Sequence, residues 1–509
     1  MIASEVYTSM KVFLSRVVFL CVLLALASKG QAFDTGHHSD LTREALAEVG
    51  MGETAIKVCQ VENWLVDYYS SSPTSTDAIS QQAAKLHSDD LVNEQAVTNY
   101  WARYAVNAKN AFHEAARTKN PRQMLALLGM SLHTIQDFYS HSNWAELQRV
   151  SGVDYATTTW FDSGGVRAGV KTGLSRLPGP ASAQHGSYAD GMNHDSYNRP
   201  NWDRAYVLAY AASRQWANQV RLWVTEVNPN IWEQAKAISL PSGQASRLAS
   251  DLNAAYRLSE WVKDSREDGH WKGKGSGSRI DFIPFAAGWI ALTLDSVFVE
   301  DFKNRHWHQL LSGGLGGALD LGVNAPPPTP APPVVTLAIN KKAIFLRTVQ
   351  AQDLNNADGI PVAGGGNADL FAKITINNQL FIETMQLDHP TTRPGWTTIK
   401  FIDDKMTSAI VHYELWDEDT DNDDHLDIHP DARFPDLDFL FNTTTHQMGG
   451  NGIEGVFDSP GRLWVSRGTN SDRAELQFFI TTKTLAKVSR FDGIKDKLRD
   501  IDKLRDIKL

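Results

Sequence analysis

Cysteine is nearly absent from this chain: 509 residues contain two, Cys21 and Cys59. Cys21 falls in an N-terminal segment with the features of an export signal. Lys11 and Arg16 precede the apolar run VVFLCVLLALA, Val17 to Ala27, and a small-residue exit ends at Ala32. Cleavage after Ala32 would leave a mature, secreted chain of 477 residues (509 minus 32) with Cys59 alone, which excludes an internal disulfide. A second long apolar run is also missing, and no other stretch approaches the ~20 residues that a membrane-spanning helix needs. Basic surplus is lacking too. The net charge is −10, with acidic residues concentrated late, so no global footprint for nucleic acid is present. No Ser-His-Asp pattern stands out, and Cys59 has no catalytic motif around it. The fold is therefore expected to rest on core burial, aided by metal. Fifteen tryptophans supply part of that core, and tryptophan also suits a lipid-facing surface.

The clearest boundary is the proline-rich extended linker VNAPPPTPAPPV, residues 323–334. Before it, stretches such as NEQAVTNYWARYAVNAKNAFHEAAR and PRQMLALLGMSLHTIQDFY repeat apolar residues at spacings of three and four, so residues 33–322 are expected to form an all-α domain. After it, short β-branched runs such as LFAKITI, WTTIKFI and AIVHYELW are separated by Asp, Asn and Gly. These predict an all-β antiparallel sandwich over 335–488. The last residues, 489–509, repeat DKLRDI and are expected to be a charged tail.

Ligand-type residues cluster in the helical half. His133, Asp137 and His141 follow at four-residue intervals in LHTIQDFYSHSNW. At about 100° per residue they share an arc of roughly 80° and can face one cavity. Two imidazoles and a carboxylate suit zinc. Export would leave Phe33 as the N-terminus, and its free amine could chelate a metal together with His37 or His38. Asp67 lies among aromatics in NWLVDYY, a costly place for an acid unless it is paired or coordinated. His87 begins the next element, and His194, Asp195 and Asp203 come before and within a later helix.

The segments FDTGHHSDLTREAL, NWLVDYY, LHTIQDFYSHSNW and GMNHDSYNRPNWDRA resemble the trinuclear zinc phospholipases C and the related fungal zinc nucleases. They are closest to the bacterial secreted phospholipase C branch, which is also similar to Het-C-like incompatibility proteins. The resemblance spans about Phe33 to Val227. It implies two or three zinc ions held by Phe33, His38, Asp67, His87, His133, Asp137 and His141, with His194 and Asp203 as the last pair. In that scheme Asp67 orients or deprotonates the attacking water and Asp137 bridges two ions. The sequence departs from the pattern at the last pair: His194 is followed at once by Asp195, and Trp202 stands where a histidine would be expected.

In the β half, WDEDTDNDDHLD, Trp416 to Asp427, crowds carboxylates that repel one another unless a cation binds. NNADG and NADLFAKI resemble the first calcium loop of C2-like lipid-binding domains, and WDED with the following DD resembles the third. That resemblance implies calcium at Asp358, Asp369, Asp417, Asp419 and Asp424. The combined expectation is a secreted zinc phospholipase C whose substrate is a phosphatidylcholine-like membrane surface, docked through calcium, with no nucleic acid and no obligate protein partner. The alternatives are a zinc nuclease, or a non-catalytic Het-C-like toxin or incompatibility factor.

Overall fold

The computed structural model describes residues 35–71, 84–147, 155–161, 168–173, 194, 199–248, 252, 306–312, 339–354, 368, 370–383, 391–417, 424–450, 453–455 and 463–487. The segment expected to be an export signal, the proline-rich segment, the DKLRDI tail, Phe33, Asp195, Asp358, Asp369 and Asp419 lie outside these residues.

The N-terminal half is built from helices α1 (Thr35–Glu48), α2 (Glu53–Ser71), α3 (Glu94–Arg117), α4 (Pro121–His141), α5 (Trp144–Leu147), α6 (Trp202–Val227), α7 (Ile231–Lys236) and α8 (His306–Ser312), plus a 3-10 turn at Ala84–His87. Start signals are local. The Asn93 side chain accepts from the Ala96 amide at the head of α3, and Asn120 accepts from Gln123 at the head of α4, where Pro121 needs no amide partner. From Gln123 to His141 every residue of α4 is buried, so this helix is the axis of the half, packed by α2 and α6. Contact with α2 is close because Gly129 lacks a side chain. A Cβ there would stand 2.5 Å from the Cys59 carbonyl oxygen and 2.8 Å from Glu62 Cβ.

Among the described residues thirteen strands, β1 (Tyr155–Thr157), β2 (Lys341–Asp353), β3 (Leu370–Ile376), β4 (Gln379–Ile382), β5 (Thr391–Thr392), β6 (Thr397–Asp403), β7 (Ser408–Asp417), β8 (Asp424–Leu426), β9 (Leu437–Asn442), β10 (Met448–Gly450), β11 (Ile453–Gly455), β12 (Trp464–Arg467) and β13 (Ala474–Lys487), form two sheets. One runs β1-β13-β2-β5, with β12 on β13 and β6 on β2; the other runs β11-β10-β9-β7-β3-β4, with β8 on β7. Alternation places Ala409, Val411, Tyr413 and Leu415 of β7 inward, where Tyr413 and Phe439 pack on Phe478 of the facing sheet.

Two features depart from an all-α domain tethered to a separate sandwich. A strand inside the helical half, β1 (Tyr155–Thr157), pairs in parallel with Leu485–Lys487 of β13. The halves also share apolar contacts: Phe401 stacks on Tyr210 at 3.7 Å between ring centroids, and Tyr155 stacks on Phe345 at 5.4 Å. A strand of three residues has too little length for periodicity to reveal it, and its partner lies across the whole chain.

Candidate metal centre

Helix α4 supplies His133 and Asp137 one turn apart, the 3-10 turn supplies His87, α1 supplies His38 and α2 supplies Asp67, all buried. Asp137 is the hub. Its Oδ1 lies 3.0 Å from His38 Nε2, and its Oδ2 lies 2.7 Å from His87 Nδ1 and 3.0 Å from His133 Nε2. Asp67 Oδ1 stands 3.7 Å from His133 Nε2 and 3.9 Å from His87 Nδ1. Among the described residues, His38 with Asp67 and His133, and His87 with His133 and Asp137, each gather donor atoms within 4.8 Å of one another. His133 belongs to both groups.

Neighbouring amides fix which ring nitrogen faces the cage. Gln136 Nε2 donates to Thr42 Oγ1 at 3.1 Å, so its Oε1 accepts from His38 Nδ1 at 2.7 Å. Asn63 Nδ2 donates to Thr42 Oγ1 and Gln136 Oε1, so its Oδ1 accepts from His133 Nδ1 at 3.1 Å. The Nε2 lone pairs of neutral His38 and His133 therefore face carboxylate oxygens. Lone pair against lone pair is repulsive unless a proton or a cation lies between, and tautomers fixed by outer hydrogen bonds characterise metal-ligating histidine. The donor set fits zinc or a similar borderline cation.

Without metal, protons do this work. Burial opposes charging of His38 and His87 most strongly, but the Asp137 carboxylate together with Asp67 and other neighbours outweighs it and raises both. Burial prevails at His133 and lowers it. Asp137 is penalised by burial as well, yet His133 and His38 hold its carboxyl well below the usual range.

His37 turns away from the cage and packs on Trp202, at 5.0 Å between ring centroids, and on Tyr206. Of the two adjacent histidines, His38 is the one facing Asp137. Among the described residues, His141 falls in neither of these donor groups. Eight residues of helix separate it from His133 by about 12 Å along the axis, a distance that sharing one helix face does not shorten. His141 Nδ1 instead meets Asp89 Oδ1 at 2.8 Å. His194 is close by, its amide donating to the Ser140 carbonyl, and its Nε2 lies 3.3 Å from Glu146 Oε1. The acid beside His194 is thus Glu146 and not Asp203. The Asp203 carboxylate accepts from the Tyr155 hydroxyl and the Arg204 amide, because the first turn of α6 faces β1. Sequence reasoning missed Asp89 and Glu146. Asp89 sits two residues after His87 in KLHSDD, and Glu146 five residues after His141.

In the β half, Leu370 pairs with Asp417 and Asp417 with Asp424, so these three strand ends are neighbours. Asp417 occupies an inward position and is buried, whereas Asp424 is exposed. Asp427 has a structural role, accepting from the backbone amides of His429, Thr469 and Asn470.

The chain is similar to the VWA7 N-terminal domain family over residues 54–154, a span that includes Asp67, His87, His133, Asp137, His141 and Glu146. No curated protein matches it. Among solved structures, a human GIVD cytosolic phospholipase A2 in complex with methyl gamma-linolenyl fluorophosphonate is 14% identical at a TM-score of 0.19, over 29% of this chain and 18% of that one. The calcium-bound tandem C2 domains of Extended-Synaptotagmin 2 are 16% identical at a TM-score of 0.20, over 29% and 47%. A C2 domain protein from Ramazzottius varieornatus is 11% identical at 0.19, over 29% and 92%. The chain thus spans less than a fifth of the phospholipase with which it aligns.

Proposed function

We propose that this protein is an exported, metal-dependent phosphodiester hydrolase of the phospholipase C type that acts at a phospholipid surface. The observation that carries the reading is the buried cage in which one carboxylate, Asp137, meets His38, His87 and His133 beside a second, Asp67. Zinc bound there would supply Lewis acidity toward a phosphodiester oxygen and acidify water. Asp67, facing both His87 and His133, orients the attacking water and takes its proton. Asn63 and Gln136 hold two imidazoles in the coordinating tautomer. The second imidazole–acid set, His141 with Asp89 and His194 with Glu146, supplies further ligands at the C-terminal end of α4.

The β half serves as the docking module, with calcium held near Asp417 and Asp424 and completed by Asp358, Asp369 and Asp419. The buried Asp417 and the adjoining strand ends support this arrangement. The test is turnover by purified, zinc-loaded protein. Release of phosphocholine from phosphatidylcholine vesicles, abolished by chelation, is expected, with single-stranded DNA and RNA left intact. Rapid nucleic-acid cleavage without lipid turnover would make it a nuclease. Absence of both activities in a metal-loaded chain would leave a non-catalytic protein.

A further inference from the structure

Helix α1 has two faces with different partners. Its inner face presents His38 to Asp137, while Thr42 accepts from Asn63 and Gln136, the two amides that set the imidazole tautomers. Its outer face is gripped by the β half. The Lys400 ammonium of β6 donates to both Glu44 carboxylate oxygens at 2.9 and 3.0 Å, and also to Gln379 of β4. The Arg43 guanidinium lies over the Phe381 ring of β4 at 5.0 Å, and Lys341 of β2 meets Glu48 at 2.7 Å. Among the described residues β6 pairs only with β2 and β4 only with β3, so α1 covers the side of the sandwich where an edge of each sheet is open. The central ion pair is well shielded, with side-chain exposure of 5% for Glu44 and 15% for Lys400. At that depth removing one partner strands the other charge, and the helix carrying it must shift to find water. Glu44 is less than two turns from His38.

We propose that Glu44 and Lys400 are positioning residues for the metal centre. The β half holds α1 from outside so that His38 reaches Asp137, and the cage is complete only when both halves are joined. This inference rests on the metal-hydrolase reading above, and it gives the C-terminal half a task inside the catalytic half in addition to any at the membrane.

The test compares full-length variants by zinc affinity in chelator competition and by the visible absorption of the cobalt-substituted protein, which reports ligand geometry. Lys400→Gln is expected to weaken zinc binding about 10–100-fold, as loss of an outer support does elsewhere, and to alter the cobalt spectrum. Lys400→Arg should keep both near wild type, and the reversal Glu44→Lys/Lys400→Glu should recover most of the loss. Leu476→Ala, which opens the sandwich core but leaves the ion pair intact, should lower stability without changing either readout. The double change Glu44→Gln/Lys400→Gln leaves no charge unmatched and carries the same test should the single change prevent folding. Wild-type zinc affinity in Lys400→Gln, or an equal loss in Leu476→Ala, overturns the proposal. A wild-type chain that takes up no metal overturns the hydrolase reading with it.

Discussion

The buried cage of the helical half and the acidic tip of the β half both concentrate carboxylates, yet they are built on opposite principles. In the cage, five ligand-type side chains converge from three helices and a 3-10 turn, and neighbouring amides fix the orientation of two of them. In the β half, among the described residues, Asp417 and Asp424 face each other on paired strand ends, one buried and one exposed. Nitrogen and oxygen donors on rigid helices favour a tightly held borderline cation, whereas oxygen donors on loops favour a larger, exchangeable one. On the function proposed above, the contrast would separate chemistry, which needs fixed geometry, from docking, which needs reversible binding.

The largest expected effect comes from Asp137→Asn. In the metal-free chain it leaves the raised imidazoles His38 and His87 buried without their nearest counter-charge, and breaking a buried pair in this way costs about 3–5 kcal/mol. Urea denaturation should register that loss, and metal analysis should find the cage empty. Unchanged stability and zinc content would erase the distinction between cage and tip.

Next in size is a pH effect confined to the metal-free cage. His38 and His87 are raised, so their contribution is complete below the ordinary imidazole pKa of about 6.5 and fades as pH rises through their folded values. Asp137 is depressed, so its contribution is present above the ordinary carboxylate pKa of about 3.9 and is lost only as pH falls through its folded value. His133 is lowered by burial, so its neutral ring opposes folding increasingly as pH falls below about 6.5, and unfolding midpoints in chelator should therefore peak near that pH and decline toward alkaline pH. Zinc should cancel the decline, because it binds the neutral imidazoles. A flat profile in chelator would show that protons do not bridge the cage.

The smallest effect on the fold is expected at the tip. Asp424→Asn removes an exposed charge and should leave stability and zinc content unchanged while weakening calcium-dependent co-sedimentation with vesicles. Asp417→Asn, at a buried position, should weaken it further. Vesicle binding indifferent to calcium and to both changes would make the tip an ordinary solvated surface.

The division into a helical and a β half was legible because periodicity changes from 3.6 to 2 across the proline-rich segment. His133 and Asp137 were legible as a pair because four residues make about one turn. What stayed hidden depends on distances that one-dimensional spacing does not encode. His141 lies on the right face but too far along the axis, and the partner of His194 comes from upstream, at Glu146. The grip of Lys400 on Glu44 joins positions 356 residues apart, and neither residue carries a motif.

Gly129 gives the cage one further property. It lies one turn before His133, and there α2 and α4 meet backbone to backbone, so their separation is stopped by hard contact instead of being negotiated by the ligands. The gap between Asp67 on one helix and His133 on the other is gauged before any ion arrives. On the metal-centre reading proposed above, a cation too large for that gap would have to force apart two closely packed helices, and one too small would leave a donor out of reach.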